Sequence, residues 1–529
     1  MRGWCAALAK ERNDNTAAIG TRGANVASFI LIGKFTSILL TGIAFIIVAR
    51  VLGPSVYGVY TLIIGAMGIL TATGDFGVST AINKFVAERI AAGRRNEVGP
   101  LLFNSLLPIA AIGLAIAVII FSISGYLSVY ILHTGSYRSL IGIASFYILV
   151  TMLYDVAYGA LVGLGSKLAS VQALQSGSQA VISITLALLG FGAAAPILGL
   201  EFGLLIGFAA AIIVLIAVER IAIVPQIDLT QIGDMFRFAL PLGLSSFFGA
   251  VANNIGIILL GVFSVTTVMA GNFGVASKIA SLLDLVVGAI YMASIPMFSS
   301  AFIEKKGSVI AQKLYGYAFY MALVVVTPMV FYMTVLAKPF SYVLFSGLYK
   351  MGPEYIALVS LGILIWLLGY YASALMISAG KIKEVLKYNV IIFVIELAAV
   401  LLLVPRFLGL GLVLAVYFVS YISTSVIFFL GVKKMFSVHL DWSKVGRILL
   451  ANVVAAALAY VPYFLLPTKF IPSLVLGLAI EICAYPVLLT ATGAMTTKDF
   501  DHVKSASKTI PVFGGMIRLL VDYAMVVAR

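Results

Sequence analysis

The chain has 529 residues, 62% of them hydrophobic and 10% charged, with a formal net charge of +14. Polar surface this scarce cannot cover a soluble globule, and no stretch is polar and long enough to form a soluble catalytic domain. The basic excess raises nucleic acid as a partner, but the placement of the charge along the chain excludes it.

Residues 1–24 carry Lys10, Glu11, Arg12 and Asp14 and no apolar h-region, so they read as an uncleaved cytoplasmic segment. At about 20 apolar residues per crossing, hydropathy predicts fourteen transmembrane helices. Six form an N-terminal lobe over 25–219, near 25–49, 57–82, 99–123, 139–163, 168–191 and 197–218. A cytoplasmic linker, 220–235, leads to a C-terminal lobe over 236–435. Its spans lie near 236–263, 270–299, 314–337, 354–379, 385–404 and 409–431. Two last helices, near 445–466 and 471–492, occupy 436–494, and 495–529 form a cytoplasmic tail. The expected fold class is an all-α integral membrane protein with two six-helix lobes and two C-terminal helices.

With the N-terminus inside, basic residues concentrate in cytoplasmic loops, such as Arg89, Arg94 and Arg95, Lys305 and Lys306, or Lys381, Lys383 and Lys387. The outer loops hold only Arg50, Arg138, Lys338, Lys350, Arg406 and Lys469. This asymmetry is the positive-inside rule. It predicts a multi-pass plasma-membrane protein with both termini cytoplasmic, and it assigns the net charge to topology and anionic lipid. Cys5 and Cys483 are expected to form neither a bridge nor a metal cluster. His133, His439 and His502 lie in loops or the tail without carboxylate neighbours at catalytic spacing. Neither an enzyme nor a cofactor is expected, beyond coupling to Na+ or H+.

Charge inside the spans is expensive and marks wet or protein-lined cavities. Lys34, Asp75, Asp155, Lys278 and Asp284 fall within or beside apolar stretches. Both signs of charge at membrane depth predict a transporter, with an anionic substrate. The two halves also resemble each other at an offset of about 215 residues. Val56-Tyr57-Gly58-Val59-Tyr60 aligns with Asn272-Phe273-Gly274-Val275-Ala276, and Tyr154-Asp155-Val156-Ala157-Tyr158 with Gly369-Tyr370-Tyr371-Ala372-Ser373. Parallel repeats of this kind predict a midplane site and alternating access.

The run Ala49-Arg50-Val51-Leu52-Gly53-Pro54-Ser55-Val56-Tyr57-Gly58-Val59-Tyr60, followed by Asp75-Phe76-Gly77, resembles the polysaccharide flippase branch of the MOP exporter superfamily. The resemblance implies two pseudo-symmetric lobes in a V shape around a central cavity. It also implies transfer of a polyprenyl-diphosphate-linked oligosaccharide from the inner to the outer leaflet, for surface polysaccharide or glycoprotein glycans. Glycan-assembly enzymes and membrane lipid would be its partners. Two alternatives stay open: a cation-coupled multidrug antiporter of the same superfamily, or a non-transporting scaffold or glycosyltransferase partner.

Lys34 and Lys278 are the candidates for holding the diphosphate; the competing reading pairs them with Asp75 or Asp284. Arg50 joins them as a substrate contact, against the reading in which it snorkels to the interface. Gln172, Gln175 and Gln179 share a helical face with Ser183 and suit sugar hydroxyls, or equally interhelical hydrogen bonds. Asp75, flanked by Gly74 and Gly77, binds a coupling cation, hinges the second span or neutralises Lys34. Asp155 and Asp284 are further coupling or gating candidates. Some relatives hold a cation between the seventh and eleventh helices, which here carry Asn253, Asn254, Tyr388, Asn389 and Glu396. Tyr154, Tyr158, Tyr370 and Tyr371 either stack on sugar rings or pack as core.

Overall fold

The structure, a computed structural model, describes residues 2–166, 168–263, 266–302, 307–495 and 522. Its elements are α1 (Arg2–Asp75), α2 (Val78–Ala91), α3 (Val98–Leu132), α4 (Arg138–Leu164), α5 (Leu168–Leu188), α6 (Ala194–Ile213) and α7 (Leu229–Phe263). There follow α8 (Val268–Ala301), α9 (Gly307–Val335), α10 (Ala337–Phe345), α11 (Gly352–Ser378), α12 (Ile382–Val413), α13 (Tyr421–Phe436), α14 (Trp442–Leu465) and α15 (Phe470–Ala491). No strand occurs among the described residues.

Ten helical segments among the described residues are long and apolar enough to cross a membrane. Two of them, Thr36–Ala72 and Ile382–Phe436, each take in two consecutive predicted spans. The first is bent at Gly53, whose φ of 69° and ψ of 173° only glycine adopts cheaply, with Pro54 opening the next helical stretch. The second is bent at Leu408. The remaining two predicted spans fall on α5, diluted by its glutamines, and on α7.

The second predicted span, 57–82, is corrected. It is interrupted at Phe76 and Gly77, both with positive φ, so that α1 ends at Asp75 and α2 begins at Val78. The Asp75 carboxylate receives the Ser79 backbone N–H at 3.2 Å and the Ser79 hydroxyl at 2.9 Å, satisfying the open end of α2. Helix α7 closes on this break. A Cβ on Gly243 would meet the Phe76 carbonyl carbon at 2.3 Å.

The chain divides into two compact units, Met1–Thr267 and Val268–Arg529. Helix α7, assigned from sequence to the C-terminal lobe, belongs to the first unit because it packs on α1, α2 and α3. Polarity in each unit is inverted relative to a soluble protein. On α3, Leu114, Val118, Ile119 and Phe121 are exposed, whereas Asn104, Ser105, Ser124 and Ser128 are buried. Asn104 is spent on α7 and the segment before it: its amide donates to Gln231 Oε1 (2.8 Å) and its carbonyl receives the Asp228 N–H (3.1 Å). Apolar residues face lipid and polar residues hold helices together, as expected where hydrocarbon is the solvent.

Candidate functional site

In the first unit, the predicted glutamines lie mainly in a helix–helix contact. Gly199, Gly203 and Gly207 form a small-residue stripe on α6, and a Cβ at these positions would meet Ser183, Gln179 and Gln175 of α5 at 1.9, 2.6 and 2.8 Å. Backbones approach this closely only across glycine. Gln175 is buried and donates to Gln179 Oε1 at 3.1 Å, while Gln172 receives the Tyr158 hydroxyl at 3.1 Å. Ser37 of α1 and Ser176 of α5 pair by a short hydroxyl–hydroxyl contact. Tyr154 and Tyr158 stack with centroids 5.6 Å apart. Asp155 is an electrostatic neighbour of Asp75, Tyr147 and Tyr154.

Arg50 is exposed at the C-terminal end of the first predicted span. The side chains of Lys34 and Asn253 lie outside the described residues, as does the predicted tail from 496 apart from Asp522. Asn254 donates to Ala250 O on its own helix at 2.9 Å and packs against Gly68 of α1.

The second unit holds a different arrangement. Tyr291 of α8, Tyr370 and Trp366 of α11, and Tyr421 of α13 form a continuous stack of four rings. Successive centroids are 4.0, 3.9 and 5.4 Å apart and every step is within 24° of parallel. Tyr417 and Tyr371 meet this stack at 75° and 73°, and the Tyr371 hydroxyl is fixed on Val287 O at 3.0 Å. Asp284 lies two turns before Tyr291 on the same face of α8. It is an electrostatic neighbour of Tyr370, Tyr417 and Tyr421, and its buried Oδ1 has no hydrogen-bond partner. Lys278, also on α8, is exposed and makes no ion pair with Asp284. Glu396 is 5% exposed and accepts a 2.6 Å hydrogen bond from Ser420; Asn389, two turns away on α12, is exposed.

Rings stacked beside a carboxylate can hold an amphipathic ligand, with an apolar face against the rings and hydroxyls or cationic groups toward the acid. Of this group, sequence reading had singled out Tyr370, Tyr371, Asp284 and Glu396. It missed Tyr291, Trp366, Tyr417 and Tyr421, because no pattern on one helix announces a stack built from three. It also missed Glu201 and Glu481, acids inside apolar runs that the rule applied to Asp155 would have flagged.

Comparison with known proteins is consistent with this picture. A model of the polysaccharide biosynthesis protein family matches residues 23–302. No curated protein matches the chain. Among solved structures, the lipid II flippase MurJ in an inward closed conformation superposes with a TM-score of 0.71 at 14% identity, covering 87% of this chain and 98% of that one. An inward-facing multidrug resistance MATE family transporter of the MOP superfamily gives 0.62 at 17% identity, covering 77% and 98%. A MOP superfamily transporter from Pyrococcus furiosus Vc1 (DSM3638) gives 0.55 at 18%, covering 79% and 96%. The chain has the fold of these MOP superfamily structures, and the family match spans more than half of the sequence: this chain belongs to the polysaccharide biosynthesis protein family.

Proposed function

We propose that the chain is a flippase that carries a polyprenyl-diphosphate-linked oligosaccharide from the inner to the outer leaflet of the plasma membrane by alternating access. Both termini would be cytoplasmic, and glycan-assembly enzymes would stand on either side of the step. The observation that carries the reading is the four-ring stack of the second unit with Asp284 beside it and the exposed Lys278 on the same helix. A pyranose offers a C–H face to rings and hydroxyls to a carboxylate. The diphosphate needs a cation, because its charge is prohibitive in hydrocarbon when unpaired. A compact ammonium such as Lys278 meets that need without fixed geometry, and Lys34 and Arg50 are proposed to share the role.

The test is leaflet translocation of a fluorescent polyprenyl-diphosphate oligosaccharide in proteoliposomes, wild type beside Lys278→Ala and Trp366→Ala. Transport by the wild type, reduced in both variants at equal protein content, supports the proposal. Absence of wild-type transport, with and without a Na+ or H+ gradient, overturns it.

A second reading, a cation-coupled multidrug antiporter, draws on the neighbouring carboxylates Asp75 and Asp155 in the first unit. It predicts gradient-driven efflux of cationic dyes in the same proteoliposomes, lost in Asp155→Asn.

A further inference from the structure

The last two helices carry a polar cluster outside both sites described above. Glu481 sits at the middle of α15, in the apolar run Ala479-Ile480-Glu481-Ile482, and is 2% exposed. Neither of its carboxylate oxygens has a hydrogen-bond partner, and among the described residues no Lys, Arg or His pairs with it. The titratable groups that feel its charge are Tyr485, one turn on along α15, and Tyr332 from α9.

Among the described residues, the donors of this cluster are committed elsewhere. Tyr332 donates to Leu474 O at 2.8 Å. Tyr485 donates to Val324 O at 2.9 Å, so its 3.2 Å contact with Thr327 is donated by the Thr327 hydroxyl. Asn452 of α14 spends both amide protons, on Thr327 Oγ1 at 2.6 Å and on Ile448 O at 3.0 Å. The ladder Asn452–Thr327–Tyr485–Val324 therefore runs across α14, α15 and α9 with none of its protons donated to the carboxylate. What remains is a surplus of acceptors: both oxygens of Glu481, and Asn452 Oδ1, buried and equally without a partner.

Buried acceptor oxygens without donors call for a hydrogen-bond donor or a positive ligand, and a carboxylate without a counter-charge at membrane depth favours the positive one. We propose that Glu481 binds a monovalent cation, a proton or an alkali-metal ion, at the α9–α14–α15 junction. Its occupancy ties the C-terminal helix pair to α9 of the second unit. This goes beyond the transport reading and does not depend on it.

The test uses the full chain, purified in lipid nanodiscs, and follows its unfolding midpoint. A ligand that binds only the folded state raises the midpoint as its concentration rises. One arm titrates pH in choline chloride; the other titrates NaCl, KCl and LiCl against choline at fixed alkaline pH. Wild type is compared with Glu481→Gln, which keeps the shape and removes the charge, and with Glu481→Asp, which keeps the charge on a shorter stem. The other intramembrane acids titrate in all three proteins, so the difference between them is the readout.

The expected result is a saturable rise of the wild-type midpoint in one arm, lost in Glu481→Gln and displaced to about tenfold higher cation in Glu481→Asp, the equivalent of roughly 1.4 kcal/mol. A response in the pH arm alone assigns the proton; a response in the salt arm assigns the alkali ion. Identical profiles for wild type and Glu481→Gln in both arms overturn the proposal and leave a permanently neutral, structural carboxyl. Should Glu481→Gln fail to fold, a Glu481→Asp profile that coincides with wild type overturns it equally.

Discussion

The two units use the same residue types in opposite ways. In the first, several polar side chains inside the predicted spans are spent within the unit, although Glu201 Oε1 keeps no hydrogen-bond partner: Asp75 caps α2, Gln175 and Gln179 pack on the α6 glycine stripe, and Gln172 receives Tyr158. In the second, the rings of Tyr291, Tyr370, Trp366 and Tyr421 stack on one another, and Asp284 Oδ1 beside them stays without a partner. Depth in the membrane alone therefore does not separate a binding group from a structural one. What separates them is whether the atom's hydrogen-bonding capacity is already used within the unit.

The strongest way to break this contrast is to disturb the contact that uses the first unit's glutamines. Gly203→Leu places a side chain where even a Cβ meets Gln179 at 2.6 Å. It should destabilise the protein by roughly 3 kcal/mol, read as a lower unfolding midpoint and poor yield. Gly316→Ala in the second unit, where the nearest atom lies 3.7 Å away, should be neutral on the same measurement.

Next in size, Tyr370→Ala removes the ring shared by two stacked pairs. It should lower oligosaccharide translocation about tenfold with folded yield retained, since each aromatic pair contributes about 1 kcal/mol. Tyr154→Ala, from a pair with a single stacked partner, should lower it less. Equal losses at both positions would erase the distinction between the units.

Asp75→Ala should cost about 1 kcal/mol of stability through loss of the α2 cap, and Asp75→Asn, which still accepts from Ser79, should recover most of it. Gradient-driven transport measured on the asparagine variant sharpens the assignment. Retained coupling leaves Asp75 as a cap, whereas lost coupling in a stable protein makes it an ion site as well. The smallest effect is expected at Glu396→Gln, which keeps an acceptor for Ser420. Its unfolding midpoint should correspond to a change within about 0.5 kcal/mol.

Much of the architecture is legible in the sequence because bilayer thickness and apolar composition leave few alternatives to long helices. The Ala49–Tyr60 run points correctly to the family. The interruption at Phe76–Gly77 is half legible: Gly74 and Gly77 mark a loosened helix, but the Asp75–Ser79 cap that makes it a true helix end is a local geometry, invisible to hydropathy. The α6 stripe Gly199-xxx-Gly203-xxx-Gly207 is present in the sequence as small residues at every fourth position. Read with the glutamines of α5, it would have pointed to a helix contact. The placement of α7 in the first unit had no signal at all, since its own periodicity does not name the helices it packs on.

Composition and hydropathy by themselves determined that this is a helical membrane protein, because lipid dictates which residues face outward, and the resemblance carried by the Ala49–Tyr60 run pointed to the polysaccharide biosynthesis family. Only the tertiary structure decided which buried polar atoms are paired, which rings stack and which acids, Asp284 and Glu481 among them, keep oxygens without donors. Those outcomes depend on atoms brought together from helices far apart in the chain. A helix's own sequence fixes which face is polar, but not the partner that meets it.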